Sequence, residues 1–334
     1  MITVEISYEE SRRLLDSHQN EMASLHTVAL DDVEGLAKFG ASFLNRGLSD
    51  GNKQKIRNFF AQPYQCPLML VRGLPLPNFL PPTPTTNGWT EDSELAFNLS
   101  LQFGLYSCFG ITPVAYAGEN NNRPIRHVVP SQISLNEISS QGSLHAFKMH
   151  VDNPHLPLDV EAVGDLSGCP QFLALKCLRA DTSVPTNVVL LDDVLAGLPE
   201  FVVKGLEKPI YSVIRPDSFG PLRTIVSPLP LVARTECGRY LSRYDRQFSR
   251  PNTEEAEFCI RVFESVLERS ELVKRFILTP GDVLVFHNQR VLHARDAFEP
   301  RFNGMDRWLI RLYGLCDRNR LLPAENDLQW LGVA

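Results

Sequence analysis

The sequence predicts an α+β protein: helices gathered toward the start, a sheet-rich core after them, and helical cladding over a barrel. Three observations lead there. Up to about residue 107, apolar residues recur mostly at helical spacing. After about residue 110, short apolar runs alternate with turn residues, a texture that favours sheet over a helical bundle. One strong helical pattern, TEEAEFCIRVFESVLER at 253–269, interrupts that texture late in the chain. Helices and strands that segregate along a chain point to the α+β class.

Taken in order, Ser7 is placed to cap a helix running through EESRRLLDSHQ, with Glu10 three residues on as the reciprocal partner of a capping box. DDVEGLAKFGASFLNR at 31–46 continues the helical pattern. PLMLVRGLPL at 67–76 reads as a short buried strand ended by a turn, and the proline-rich NFLPPTPTTNGWT leads to a further helix at 92–107. The later apolar runs are TPVAYAG, QFLALKCLR, NVVLLDDV, PLRTIVS, ERSELVKRFIL, GDVLVFHN and RWLIRLYGL. Thr253 caps the late helix just after Pro251. HLPLDVEAVGDLSGC, 155–169, reads as a loop insertion near the candidate site. No repeat and no domain boundary stands out, so 1–334 is expected to be a single domain, with a helical N-terminal region (about 1–66) packed on the barrel.

Composition narrows the function. Forty-three per cent hydrophobic and 22% charged residues are ordinary for a globular protein with a substantial core. No stretch reaches the roughly 18 apolar residues that span a bilayer. The start, MITVEISYEESRR, lacks a basic segment followed by an apolar one, so no secretory signal is expected. Seven scattered cysteines without a C-x-x-C argue against a disulfide framework or a structural zinc, and a cytoplasmic location is expected. A net charge of −6 with no basic run argues against nucleic acid as a partner.

The clearest chemical signal is His150-Val151-Asp152. Residues two apart on a strand point to one face, so an imidazole and a carboxylate can reach one metal ion together. A distant second histidine would complete the two-His, one-carboxylate triad that leaves positions open on non-haem Fe(II). His287 and His293 are both candidates, in GDVLVFHNQRVLHARDAFEPRFNGMDRWLIRLYG at 281–314. Arg307 and Arg311, four apart, would share one face of a following strand. Inward guanidinium groups beside a metal call for anions, and an arginine fork suits a carboxylate. Taken singly, H-x-D is a weak motif, and His287, His145 and His155 read more simply as core or loop histidines.

At these residues the chain resembles the clavaminate synthase-like branch of the Fe(II)/2-oxoglutarate oxygenases, which includes asparagine, arginine and lysine hydroxylases of antibiotic pathways. The resemblance runs from about residue 67 to 314. It is carried by LVRGLPLPNFLPPTP, GITPVAYAGENNNRPIRHVVP, GSLHAFKMHVD, CLRAD, RYDRQFSRP and, most specifically, HARDAFEPRFNGMDRWLIRLYG. It implies a double-stranded β-helix, the jelly-roll-like barrel, with helices outside. It also implies Fe(II), 2-oxoglutarate and O2 as cofactor and co-substrates, with His150, Asp152 and His293 as iron ligands. Arg307, with Thr186, would bind the far carboxylate of 2-oxoglutarate. Arg311 would hold the substrate α-carboxylate and Glu119 its α-amino group. Ser140 would face the substrate, and Asp245 and Gln247 would read its side chain. The branch often has Glu where this chain has Asp152. The insertion at 155–169 is a further departure, expected to act as a lid over the substrate.

The expected chemistry is hydroxylation of an unactivated C–H bond in a polar free L-amino acid or close derivative, with 2-oxoglutarate converted to succinate and CO2. Asp152 argues against halogenation, which in relatives goes with a small residue at that position. Desaturation, cyclisation and epoxidation use the same ligands. A carrier-tethered amino acid is less favoured, because a thioester would leave Arg311 unpaired. Asp245 could instead be a surface partner of Arg243 or Arg246. The competing class is a barrel that binds a small acid without turning it over. A hydrolase is disfavoured by the lack of a G-x-S-x-G elbow or a recognisable nucleophilic cysteine.

Overall fold

In a computed structural model, residues 1–220, 224–325 and 327–334 are described. Helices and sheets both contribute to the architecture, as the α+β reading expects. The first helix, Tyr8–Leu25, starts at the predicted capping box: Glu10 N–H donates to Ser7 Oγ, and Ser7 N–H donates to Glu10 Oε2. Glu10 is buried and also accepts from the Ser49 amide and the Asn52 side chain. Burial alone would raise its pKa, but the hydrogen bonds from Ser49 and Ser7 outweigh it and hold the carboxyl at about 2. The predicted 31–46 helix is Val33–Gly47, capped by Asp32. It crosses Ala96–Ser107 backbone to backbone: a Cβ on Gly40 would lie 1.7 Å from the Ser100 carbonyl oxygen. Only glycine permits that approach.

Several elements differ from the sequence reading. Ile2–Glu5 is a strand, paired parallel with Leu68–Arg72; four residues are too few to show a period. Asp50–Ala61 is a helix capped by Ser49, and the run NVVLLDDV divides into strand Thr186–Leu190 and helix Leu191–Ala196. ERSELVKRFIL divides into a 3-10 turn, Ser270–Leu272, and a short strand, Lys274–Phe276. PLRTIVS begins outside the described residues, and its later part lies in strand Ile225–Leu229. The late helix is Glu254–Leu267 with its Thr253 cap, as predicted.

Of the four sheets among the described residues, the two largest frame a cavity. The larger runs in the order Ile2–Glu5, Leu68–Arg72, Val283–His287, Phe172–Arg179, Trp308–Leu315, Thr112–Tyr116, Leu331–Gly332, with Ile125–Val128 also paired to Trp308–Leu315. The smaller runs Lys274–Phe276, Thr186–Leu190, Val291–Arg295, Phe147–His150. Strand alternation sorts their side chains. Phe172, Ala174, Leu178, Trp308, Ile310 and Leu312 pack with the N-terminal helices. From the same two strands, Leu173, Leu175, Leu309, Arg311 and Tyr313 line the cavity. The smaller sheet gives that cavity Phe147, His150, Thr186, His293 and Arg295, while Val189 and Leu292 pack outward with helix Glu254–Leu267. No helix among the described residues is long and apolar enough to cross a membrane.

Candidate active site

The cavity between the sheets has a volume of about 350 Å³. His150 ends strand Phe147–His150 and lies opposite His293 in the antiparallel register, so two imidazoles meet at ring centroids 4.1 Å apart. Asp152 follows on the same side: its Oδ1 is 3.3 Å from His150 Nε2 and 3.8 Å from His293 Nε2. One ligand atom from each of the three lies within 4.8 Å of the others, a group able to hold a metal ion. His150 Nδ1 donates to the Lys148 carbonyl at 2.7 Å, which turns Nε2 toward the centre; burial disfavours the ring's charge, but Asp152 raises its pKa on balance. That Nε2 is buried with no hydrogen-bond partner, which a cation would correct. His293 is held neutral: burial first, then the neighbouring His150, lowers its pKa to about 3. Neutral imidazoles and an ionised carboxylate are the protonation states that bind metal. His287, the rival for the third place, instead faces Asp159 at 3.3 Å, away from this centre.

Asp152 is fixed from behind. Its amide donates to Asn288 Oδ1, and Asn288 Nδ2 returns a bond to the Asp152 carbonyl, both at 2.9 Å. Its second carboxylate oxygen accepts from Tyr313 OH at 2.8 Å and Arg311 Nη1 at 3.3 Å. Arg311 also donates to Glu119 Oε1 at 2.5 Å. Burial would raise the Asp152 pKa, but Arg311 and the histidines hold it well below the carboxylate range. Arg307 donates to Thr186 Oγ1 at 2.9 Å; burial chiefly lowers its pKa to about 10. No carboxylate pairs with it among the described residues, so the cavity presents a charged fork awaiting an anion.

Asp245 and Gln247 also line the cavity. Neither neighbour neutralises Asp245: Arg243 pairs with Glu161, and Arg246 with Glu264. The Asp245 carboxylate accepts from the amides of Gln247 and Phe248, and burial raises its pKa to about 6. Ser140 lines the cavity and accepts from Arg126 Nε at 2.5 Å. All ten residues singled out from the sequence therefore converge on one cavity.

The 155–169 insertion departs from expectation. It is not built as a lid: apart from the preceding Asn153 and Pro154, the cavity wall does not include it. Arg320 donates to the carbonyls of Pro157, Leu158, Asp159 and Glu161, and Arg243 to those of Pro154 and Leu156. A fully buried guanidinium, Arg243, and a half-buried one, Arg320, thus fasten the loop behind the site. Sequence reasoning missed Asn288, Tyr313 and Arg126. Tyr313 could have been found from parity with Arg311. Asn288 sits in a wholly polar turn, His287 to Arg290, between two apolar strands and fully buried. A polar turn there signals a structural clamp.

Comparison with known proteins agrees with this geometry. Residues 225–313 match the family "Taurine catabolism dioxygenase TauD, TfdA family". An L-lysine 3-hydroxylase of Catenulispora acidiphila is 28% identical, covering 78% of this chain and 70% of the relative. An L-asparagine oxygenase of Streptomyces coelicolor is also 28% identical, covering 80% and 76%. A crystal structure of asparagine oxygenase in complex with Fe(II), 2S,3S-3-hydroxyasparagine and succinate shares the fold over 100% of both chains, with TM-score 0.85 at 23% identity. The chain is similar to the TauD-like Fe(II)/2-oxoglutarate oxygenases, with the family match carried by residues 225–313. It is a dioxygenase whose cofactor and co-substrate are Fe(II) and 2-oxoglutarate. The resemblance read from the sequence motifs holds at the level of this superfamily.

Proposed function

We propose that this TauD-like oxygenase hydroxylates an unactivated C–H bond in a free polar L-amino acid. The observation that carries the reading is the meeting, in one 350 Å³ cavity, of the His150–Asp152–His293 group, the fork of Arg307 without a carboxylate, and the Arg311–Glu119 ion pair. In this reading the two sheets are the halves of a double-stranded β-helix and 1–334 is one domain. Fe(II) with 2-oxoglutarate activates O2 and supplies the oxidising power. The protein supplies position and charge. His150, Asp152 and His293 hold the iron, with Asn288 and Tyr313 fixing the carboxylate arm. Arg307 and Thr186 take the far carboxylate of 2-oxoglutarate. Arg311 and Glu119 exchange part of their mutual pairing for the α-carboxylate and α-amino groups of a zwitterion, with Ser140 alongside. Leu173, Leu175 and Leu309 exclude water, which strengthens each ion pair. Asp245 and Gln247 meet the side chain, and their acid-plus-amide pair suits a cationic or amide group. The similarity to relatives named for lysine and asparagine supports that class.

The test follows succinate from protein incubated with Fe(II), 2-oxoglutarate and O2, with each of the twenty L-amino acids. One of them should stimulate succinate strongly and gain one oxygen by mass. Unstimulated succinate formation equal in parent and His150→Ala would sink the proposal in favour of a non-catalytic acid-binding barrel.

A further inference from the structure

Two guanidinium groups of the cavity wall have no part in these roles; Arg295 is spent on the carbonyls of Ser143, His145 and Asp296, which leaves Arg126. Arg126, on strand Ile125–Val128, is the direct antiparallel partner of Arg311, and both side chains line the cavity. Like charges directly opposite across two strands repel, and a desolvated wall weakens the screening between them. Arg311 is compensated by Glu119 and Asp152. Arg126 is not: among the described residues it pairs with no carboxylate, and its hydrogen bond runs from Nε to the neutral Ser140 Oγ. Burial first, then Arg311, lowers its pKa, and Glu119, Tyr313 and Asp152, none of them paired with it, offset this only in part. Arginine stays protonated in proteins, so the cation persists and lacks its anion.

The charge count says which anion fits. A substrate carboxylate approaching Arg311 alone would reach a guanidinium already flanked by two carboxylates. A second cation facing it removes that repulsion and supplies the missing anion partner. Resting on the amino-acid reading above, we propose that Arg126, supported by Ser140, grips the substrate's α-carboxylate from the side opposite Arg311. The site then selects amino acids with a free α-carboxylate and rejects amides, esters and carrier thioesters. Loss of a carboxylate leaves two facing guanidinium groups desolvated, and a site built to bind a group rejects the analogue lacking it far more strongly than one that merely tolerates it.

Binding is measured by calorimetry on protein loaded with Fe(II) and 2-oxoglutarate without O2, with the twenty L-amino acids and their carboxamides as probes. The parent should bind one acid and strongly prefer it to its amide. Arg126→Met should weaken that acid about 10- to 100-fold, the effect of losing a charged hydrogen bond. The amide should change little, so the acid-to-amide preference collapses by the same factor. Arg126→Lys should recover part of it, and Arg126→Met should melt no lower than the parent, since it removes an unsatisfied charge. An unchanged preference in Arg126→Met overturns the inference and leaves the amino-acid reading standing. Equal weakening of acid and amide with a lower melting temperature overturns it too, by making Arg126 a structural residue. A parent that binds none of the probes overturns both.

Discussion

The larger sheet has two faces built from alternate residues of the same strands, and they bury opposite kinds of chemistry. Toward the helices, Phe172, Ala174, Leu178, Trp308, Ile310 and Leu312 form a dry apolar layer. Toward the cavity, Arg307, Arg311 and Tyr313 stand among leucines, with Arg126 from the neighbouring strand. On the helix face the helices meet the sheet almost entirely through apolar packing, with Gln102 and Tyr106 reaching the carbonyls of Ala174, Ile310 and Leu312. On the cavity face charges remain partly uncompensated. One face holds the fold together; the other keeps electrostatic capacity in reserve for ligands, at some cost in stability.

Adjacent residues make the sharpest test. Trp308 is fully buried on the helix side and donates Nε1–H to His127 Nδ1 at 3.0 Å. Trp308→Ala should cost about 3–5 kcal/mol in urea unfolding, from lost burial and the cavity left behind. Turnover per folded molecule should stay near that of the parent. Arg307, one residue earlier, should behave in the reverse way. Its hydrogen bond to Thr186 is its one side-chain partner among the described residues, and burial disfavours its charge. Arg307→Met should leave the unfolding midpoint unchanged or slightly higher. The KM for 2-oxoglutarate should rise roughly 100-fold, as expected when a desolvated charge-assisted fork is lost. If Trp308→Ala abolished turnover in folded protein, or Arg307→Met unfolded it, the division of labour between the faces would be wrong.

A smaller effect tests the support behind the metal group. Asn288 touches Asp152 only through its backbone. Asn288→Ala should weaken Fe(II) binding by about 10- to 100-fold, the usual scale for residues that orient a ligand without contacting the metal. Equilibrium dialysis of iron reads this directly. Unchanged iron affinity would mean that Tyr313 and Arg311 alone orient the carboxylate.

What could be read in the sequence follows from the same two faces. The capping box at Ser7 and Glu10, the Thr253 cap and the His150/Asp152 pair are local patterns, and each appears where it was expected. The choice between His287 and His293 was not local. It depends on strand pairing, which sets His293 directly opposite His150, while His287 ends a strand of the other sheet and faces Asp159. Arg126 was missed for a similar reason. Nothing near RPIRHVVP marks it, and its meaning comes only from lying opposite Arg311, far along the chain. Arg243 and Arg320 look like surface cations in the sequence, but become fasteners of the 155–169 loop through backbone carbonyls that sequence does not place.

Lys176 is the exception on the helix face, and it gives the finest test. It is fully buried, and its Nζ donates to the Asn98 carbonyl at 3.0 Å. No carboxylate pairs with it among the described residues, and burial lowers its pKa from 10.5 to about 7. The folded state therefore binds this proton less readily than the unfolded state. Above pH 10.5 Lys176 is neutral in both states and imposes no penalty. As pH falls from there, the unfolded chain gains the proton first, and folding loses stability until about pH 7, where the folded lysine begins to charge as well. Lys176→Met removes this liability but leaves the Asn98 carbonyl without its donor. A net gain on the order of 1 kcal/mol is expected at pH 7, shrinking as pH rises toward 10.5. Urea midpoints at pH 7, 8.5 and 10 would show the trend. A variant destabilised at every pH would mean that the hydrogen bond to Asn98 outweighs the buried charge, and that the helix face, like the cavity face, depends on a charge it holds.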